Sequence, residues 1–147
     1  VAAKSALLQS NGNIIDASGV NKVFFPDTPQ GDYYVAIQHY NHLGVMTATP
    51  ITFNDSTVFD FTDSNNSTFS NGAMAQRNIN GVMCLWSGDM NGDGTINAVD
   101  KNEYWKREMG ENFVYGTSKA DLNLDGVVDT IDREDFWRVN NSRIQQH

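Results

Sequence analysis

The sequence predicts an α+β chain, with an antiparallel β-sandwich-like domain over residues 1–86 and a small pair of loop–helix units over 87–147. Three observations carry this. Short β-branched and aromatic runs, parted by turn residues, fill the first part. An acidic phrase occurs twice in the second, GDMNGDGTINAVD at 88–100 and ADLNLDGVVDTID at 120–132, offset by 32 residues. The composition breaks between the two parts. Residues 1–86 hold six acids against three bases, a net of −3, and no Glu, whereas residues 87–147 hold twelve acids against seven bases, a net of −5.

In chain order, the expected strands are ALLQ (6–9), VFF (23–25), YYVAIQH (33–39), GVMTA (44–48), ITF (51–53), TVFDF (57–61) and GVMCLW (81–86). SNGN (10–13), DTPQGD (27–32), NHLG (41–44) and DSNNS (63–67) supply turns between them. Residues 65–70 read as a mobile surface loop. Nothing before Gly88 has helical periodicity. After each acidic phrase the rhythm changes to helix, over 100–110 and 132–141, and the first ends in Gly110. Each helix carries an aromatic pair at the same offset, Tyr104-Trp105 and Phe136-Trp137.

At 147 residues the chain fits one ordinary domain or two small ones, and 39% hydrophobic residues suffice for a core. A net charge of −8 argues against a nucleic-acid partner, which needs a basic patch. No apolar run approaches the roughly 18 residues of a membrane span. The chain opens without an initiator Met or signal peptide and reads as a mature or trimmed product. The single Cys84 cannot form an internal disulfide and reads as a small buried hydrophobe.

The repeated phrases have the spacing of a calcium loop. Counting from the first Asp, positions 1, 3, 5, 7, 9 and 12 are Asp89, Asn91, Asp93, Thr95, Asn97 and Asp100 in the first. In the second they are Asp121, Asn123, Asp125, Val127, Asp129 and Asp132. Calcium takes six to eight oxygens at about 2.3–2.6 Å. Positions 1, 3 and 5 aim side-chain oxygens at one centre, and Gly94 or Gly126 at position 6 allows the sharp turn. Position 7 offers its backbone carbonyl, position 9 acts through water, and the carboxylate at 12 closes the shell from the start of the next helix. Ile96 and Val128, at position 8, are expected to pair across the two loops in a core. Without metal the seven loop carboxylates repel, so the empty unit is expected to be loose; two Ca2+ ions would bring the net −5 to −1. The second loop has one carboxylate more and is expected to bind more tightly. A metal-free cluster of Asx turns is the alternative for one loop and fits poorly with two matched copies. Magnesium, with its stricter octahedral demand, is the alternative ion.

Elsewhere the chemistry is thin. His39 and His42 form H-x-x-H, but zinc needs a third ligand, and the segment reads as a polar turn beside the sheet. No nucleophile elbow, phosphate loop or nicotinamide fingerprint occurs, so no catalytic residue and no enzymatic activity is expected. Sequons begin at Asn54, Asn65, Asn66 and Asn140, which leaves glycosylation open.

Position 12 is Asp, not Glu, and neither CLWSG (84–88) nor YGTSK (115–119) is an amphipathic incoming helix. Each unit is therefore a loop plus its exit helix. That half-hand, over 89–110 and 121–143, resembles the type I dockerin family, the calcium-dependent docking modules of secreted bacterial proteins. The resemblance implies calcium-driven folding and binding to a cohesin receptor. The recognition positions it implies are Ala98-Val99 and Thr130-Ile131, with Lys106, Arg107 and Arg138. The Ser-Thr pair of cellulosome dockerins is absent, so the resemblance carries calcium binding over and does not carry over the cellulosome type of cohesin binding. GDYYVAIQHYNHLGVMTATPITF, TVFDFTD and GVMCLWSGDMNGDG resemble the C-terminal regions of bacterial haemagglutinin- or adhesin-like surface proteins. Their β-domains begin with further strand sequence, so an open sheet edge is expected here.

These resemblances, with the filling of weak sites by millimolar extracellular calcium, imply a secreted, extracellular protein of the bacterial cell surface. The function expected is non-catalytic, calcium-stabilised assembly through a protein partner. That partner is either further copies, joined into a filament by donation of the apolar strand 1–8, or a cohesin-like receptor. The alternative is a docking or carbohydrate-binding appendage of a larger secreted enzyme.

Overall fold

The structure, a computed structural model, describes residues 2–9, 11–54, 59–114 and 116–147. Within them the chain is α+β. The strands are β1 (Ala6–Leu8), β2 (Ile14–Asp16), β3 (Gly31–Tyr33), β4 (Ala36–Ile37), β5 (Val45–Met46), β6 (Ile51–Phe53), β7 (Arg77–Ile79) and β8 (Val82–Cys84). Two helices follow, α1 over 98–108 and α2 over 130–140. Each contains a π-helical stretch, Lys101–Trp105 in α1 and Asp132–Trp137 in α2.

The strands pair as four separate two-stranded antiparallel ladders, β1–β2, β3–β6, β4–β5 and β7–β8, where the sequence predicts two facing sheets. The strands are two or three residues long, and β1 and β7 are exposed throughout. Such short strands have no continuous apolar face to lay against a second sheet. The run 33–39 breaks between β3 and β4. The Val35 N–H instead donates to Thr47 Oγ1 at 3.2 Å, while the Thr47 N–H donates to the Val35 carbonyl at 2.9 Å. Residues 23–25 form no strand, and Thr57 and Val58 lie outside the described residues. Residues 65–70 are irregular but tethered: Ala48 donates to the Ser67 carbonyl and Phe69 to that of Met46. Cys84 is half-buried, not enclosed. The expected donor strand is already paired in its own chain, with Ala6–Leu8 against Ile14–Asp16 and Leu7 44% exposed; Val1 lies outside the described residues.

The hydrophobic core sits where the two parts meet. Leu43 and Trp86 pack with Met90, Ile96, Trp105, Ala120, Leu122, Val128 and Trp137. The segment 41–44 is the strut. The Leu43 N–H donates to the Trp86 carbonyl at 2.8 Å, and Gly88 donates to the Asn41 carbonyl at 3.0 Å. Asn41, wholly buried, sends Nδ2 to the carbonyls of Lys119 (3.1 Å) and Asp121 (3.0 Å). The C-terminal residues strap the other side. Gln145 Oε1 accepts from Gly44 N–H, Gln146 Oε1 from Asn71 and Ala73, and the Arg143 guanidinium lies 4.1 Å from the Trp86 ring centre.

His39 and His42 sit beside this strut, ring centres 4.5 Å apart and edge-on. His42 Nδ1 contacts Asn41 Oδ1 at 2.6 Å, and among the described residues no third ligand stands with the pair. Burial, with a smaller contribution from the neighbouring His39, pushes the His42 imidazole down to about 3; burial lowers His39 too, against its contact with Asn41. An unfolded histidine takes its proton near pH 6.5, so this stability is complete above that value and is lost as pH falls toward the folded value. Lowering the pH from 7 to 5 is expected to cost roughly 2 kcal/mol through His42 in a denaturant titration. A His42→Gln variant is expected to lose that part of the pH slope.

Candidate metal centre

The two loops are built by the same local rules. Asp89, at position 1, accepts Gly92 (2.9 Å) and Asp93 (3.1 Å) N–H groups on Oδ1 and Gly94 N–H (3.0 Å) on Oδ2. Asp121 repeats this with Asp125 (3.1 Å) and Gly126 (3.0 Å). Asn91 and Asn123 each accept from the residue two ahead and donate Nδ2 to the carboxylate at position 5, Asp93 or Asp125. Those carboxylates accept the N–H of Thr95 and Val127, both at 2.9 Å. Side chains that bond their own loop two residues on are what Asp and Asn do in tight turns.

Left-handed backbone sets the bend. Gly94 and Gly126 have φ of 81° and 90°. Position 4 is left-handed as well, as Gly92 (φ 75°) in the first loop and Leu124 (φ 63°) in the second.

Position 12 ties each loop to its helix. Asp100 Oδ1 accepts from Met90 (2.9 Å) and Asn91 (3.2 Å) and Oδ2 from Asn97 (2.8 Å). Asp132 matches it with Leu122 (2.7 Å), Asn123 (3.2 Å) and Asp129 (2.8 Å). At position 9, Asn97 and Asp129 cap the helices by accepting from Val99 (2.7 Å) and Ile131 (2.6 Å). The six positions thus lie along one loop in each copy, with both side-chain and carbonyl oxygens on offer. Among the described residues, however, no three carboxylate, imidazole or thiolate groups stand together at ligating spacing. The loop carboxylates are turned toward N–H groups.

The electrostatics nevertheless fit a cation. Asp100 and Asp132 are 0% exposed, and Asp89 and Asp121 are 3% and 2%. Among the described residues the ion pairs are Arg107–Glu103, Arg133–Glu134 and Arg138–Glu134, and none reaches a loop acid. Burial raises the carboxyl groups of Asp89, Asp100 and Asp132, opposed by the N–H bonds they accept; neighbouring Asp93, Asp89 and Asp121 respectively push the same way as burial. Buried carboxylates without countercharge are costly. An all-oxygen donor set at that point is the chemistry of a hard divalent ion.

Ile96 and Val128, expected to pair with each other, do not share a ladder. Both are fully buried in the common core, but each pairs its backbone with the segment leaving a helix. Ile96 exchanges bonds with Ser142 and Arg143, and Val128 with Gly110 and Glu111. Asn140, which opens the last sequon, is buried and donates to the Ser87 carbonyl and Oγ, so its amide is occupied by the fold. Asp55 and Ser56 of the first sequon lie outside the described residues, whereas Asn65 is exposed. The implied recognition positions Val99 and Ile131 are 48% and 45% exposed, and Lys106, Arg107 and Arg138 are exposed as well. The bracing roles of Asn41, read only as part of a turn, and of Asn140, read only as a sequon, escaped the sequence reading, since a lone Asn in a turn or helix end carries no spacing signal.

A methyl group on Gly126 would stand 3.1 Å from the Phe113 carbonyl, in a backbone region that costs an L residue about 1–2 kcal/mol. Gly126→Ala is therefore expected to lower the thermal midpoint of the chain. Gly94→Ala, whose methyl would meet only Gln145 Cβ at 3.5 Å, is expected to cost less in the same melt.

Neither a curated protein nor a solved structure matches the chain. Residues 87–135 match the family model described as the dockerin type I domain, a family of calcium-binding modules that dock onto protein partners. Both acidic loops fall within the match, so this stretch of the chain is similar to a dockerin type I domain.

Proposed function

We propose that residues 87–147 form a calcium-dependent protein-docking unit of a secreted bacterial surface protein, carried by the β-domain of residues 1–86. Two ions are bound, one per loop. The ligands are Asp89, Asn91, Asp93, the Thr95 carbonyl, Asn97 through water, and Asp100 in the first loop. In the second they are Asp121, Asn123, Asp125, the Val127 carbonyl, Asp129 and Asp132. What carries this reading is the pair of buried position-12 carboxylates, Asp100 and Asp132, set in matched loops without a basic partner among the described residues. Calcium binding then supplies part of the folding energy, and chelation loosens the unit.

The second loop, with its extra carboxylate Asp129, holds its ion more tightly. Calorimetric calcium titration is expected to show a larger loss of total affinity for Asp132→Ala than for Asp100→Ala; the reverse order overturns this assignment.

The receptor face is the pair of helix starts, Ala98-Val99 and Thr130-Ile131, with Lys106, Arg107 and Arg138 at its rim. Exposed apolar side chains beside Arg suit a protein interface. A cohesin-type receptor domain is expected to retain the chain on a column in calcium and release it in chelator. Val99→Glu with Ile131→Glu is expected to weaken retention at least tenfold while leaving calcium uptake intact. Retention that ignores chelator, or no retention at all, overturns this partner. Self-assembly is the competing outcome. Calcium-dependent growth in light scattering that disappears on deleting residues 1–8 would favour it.

A further inference from the structure

We propose that the two acidic loops order and load as one unit because each is completed by the other repeat, Trp105 positioning the second loop and Trp137 the first. The inference rests on the loops being calcium sites and adds how the sites are coupled.

The exchange is reciprocal at every contact. The segment leaving α1 pairs with the second loop: Gly110 N–H donates to the Val128 carbonyl (2.8 Å), Val128 N–H to Glu111 (3.1 Å) and Phe113 N–H to Gly126 (2.7 Å). The segment leaving α2 pairs with the first loop at positions 32 residues on. Ser142 donates to the Ile96 carbonyl (2.8 Å), Ile96 to Arg143 (2.9 Å) and Gln145 to Gly94 (2.8 Å). The tryptophans cross in the same way. Trp105 Nε1 donates to the Asp129 carbonyl at 2.7 Å, and Trp137 Nε1 to the Asn97 carbonyl at 3.0 Å. Both rings are buried, and each is faced by a cation from the opposite helix, Lys101 at 5.1 Å from Trp137 and Arg133 at 4.8 Å from Trp105.

The contacted carbonyls are those of position 9, the residue that caps the helix and precedes position 12 by three. A loop that opens frees its position-9 carbonyl and releases the tryptophan of the other repeat. That tryptophan lies five residues beyond the other loop's own position 12. Disorder in one loop thus reaches the other through a buried ring and a three-bond ladder, which makes occupancy of the two sites cooperative.

The test is the native chain against Trp105→Phe and Trp137→Phe, which keep a ring and delete one N–H. Calcium is titrated while the amide resonances of Gly126 and Gly94 report their own loops. Trp105→Phe is expected to weaken the Gly126 response roughly five- to tenfold and the Gly94 response less, with the mirror result for Trp137→Phe. Asp100→Asn is expected to weaken binding at the second loop, and Asp132→Asn at the first. A loss confined to the variant's own loop, or two loops that titrate independently, overturns the proposal. Amide exchange in chelator separates it from the functional reading. If the native chain takes up no calcium, that reading falls. Faster exchange at Val128 and Asp129 in Trp105→Phe, and at Ile96 and Asn97 in Trp137→Phe, then still supports the crossed positioning, and its absence refutes it.

Discussion

Everything in the second part of the molecule is arranged around two carboxylates that water does not reach. Asp100 and Asp132 each gather three backbone N–H groups at the mouth of a helix. Those bonds hold the loop in its bend and start the helix in the same stroke. They offset part of the cost of burying charge and leave the charge itself unneutralised. The apolar residues at position 8 then have a fixed place to go, and the core forms on them. A fold with so few long elements needs this kind of local specification, because ladders two or three residues long supply little of their own.

The loop unit was legible in the sequence because its physics is local. Asp, Asn and Gly at fixed spacing produce turns that close on themselves, and an exact offset of 32 residues reveals the duplication. The helices began two residues earlier than read, since the cap is Asn97 or Asp129 and not the position-12 acid. The β-part was legible only as a tendency. Five of the seven expected runs contain a strand, mostly shorter than read, whereas 23–25 and the described residues 59–61 hold none and β2 and β7 went unread. Which strand pairs with which depends on long-range contacts that alternation does not encode. The Val35–Thr47 exchange interrupts a run that reads as one strand, and the Asn80-Gly81 hairpin, with both residues left-handed, went unread although that dipeptide favours such a turn. The partner of Ile96 was misassigned for a related reason. Symmetry suggests that like pairs with like, whereas the chain pairs each loop with the far side of the other repeat.

The duplication is also imperfect where the backbone is most demanding. Position 4 is left-handed in both copies, filled by Gly92 in one and by Leu124 in the other. Leucine there is strained by its Cβ, and its half-buried side chain offsets part of that strain. The two loops are therefore alike in hydrogen bonding and unlike in stored strain, and the second is also the one with more negative charge. Both differences give the second loop more strain and more like charge to hold in the same bend.

The strut at 41–44 bears on portability. Asn41 reaches past the composition break to hold the carbonyls at the head of the second loop, and Leu43 lies in the same core as both tryptophans. Cutting the chain at residue 87 would strip two carbonyls of their donor and open the side of that core. A fragment meant to carry this unit onto another protein must bring a surrogate for the Asn41–Leu43 segment, or it will present the loops without the wall they lean on.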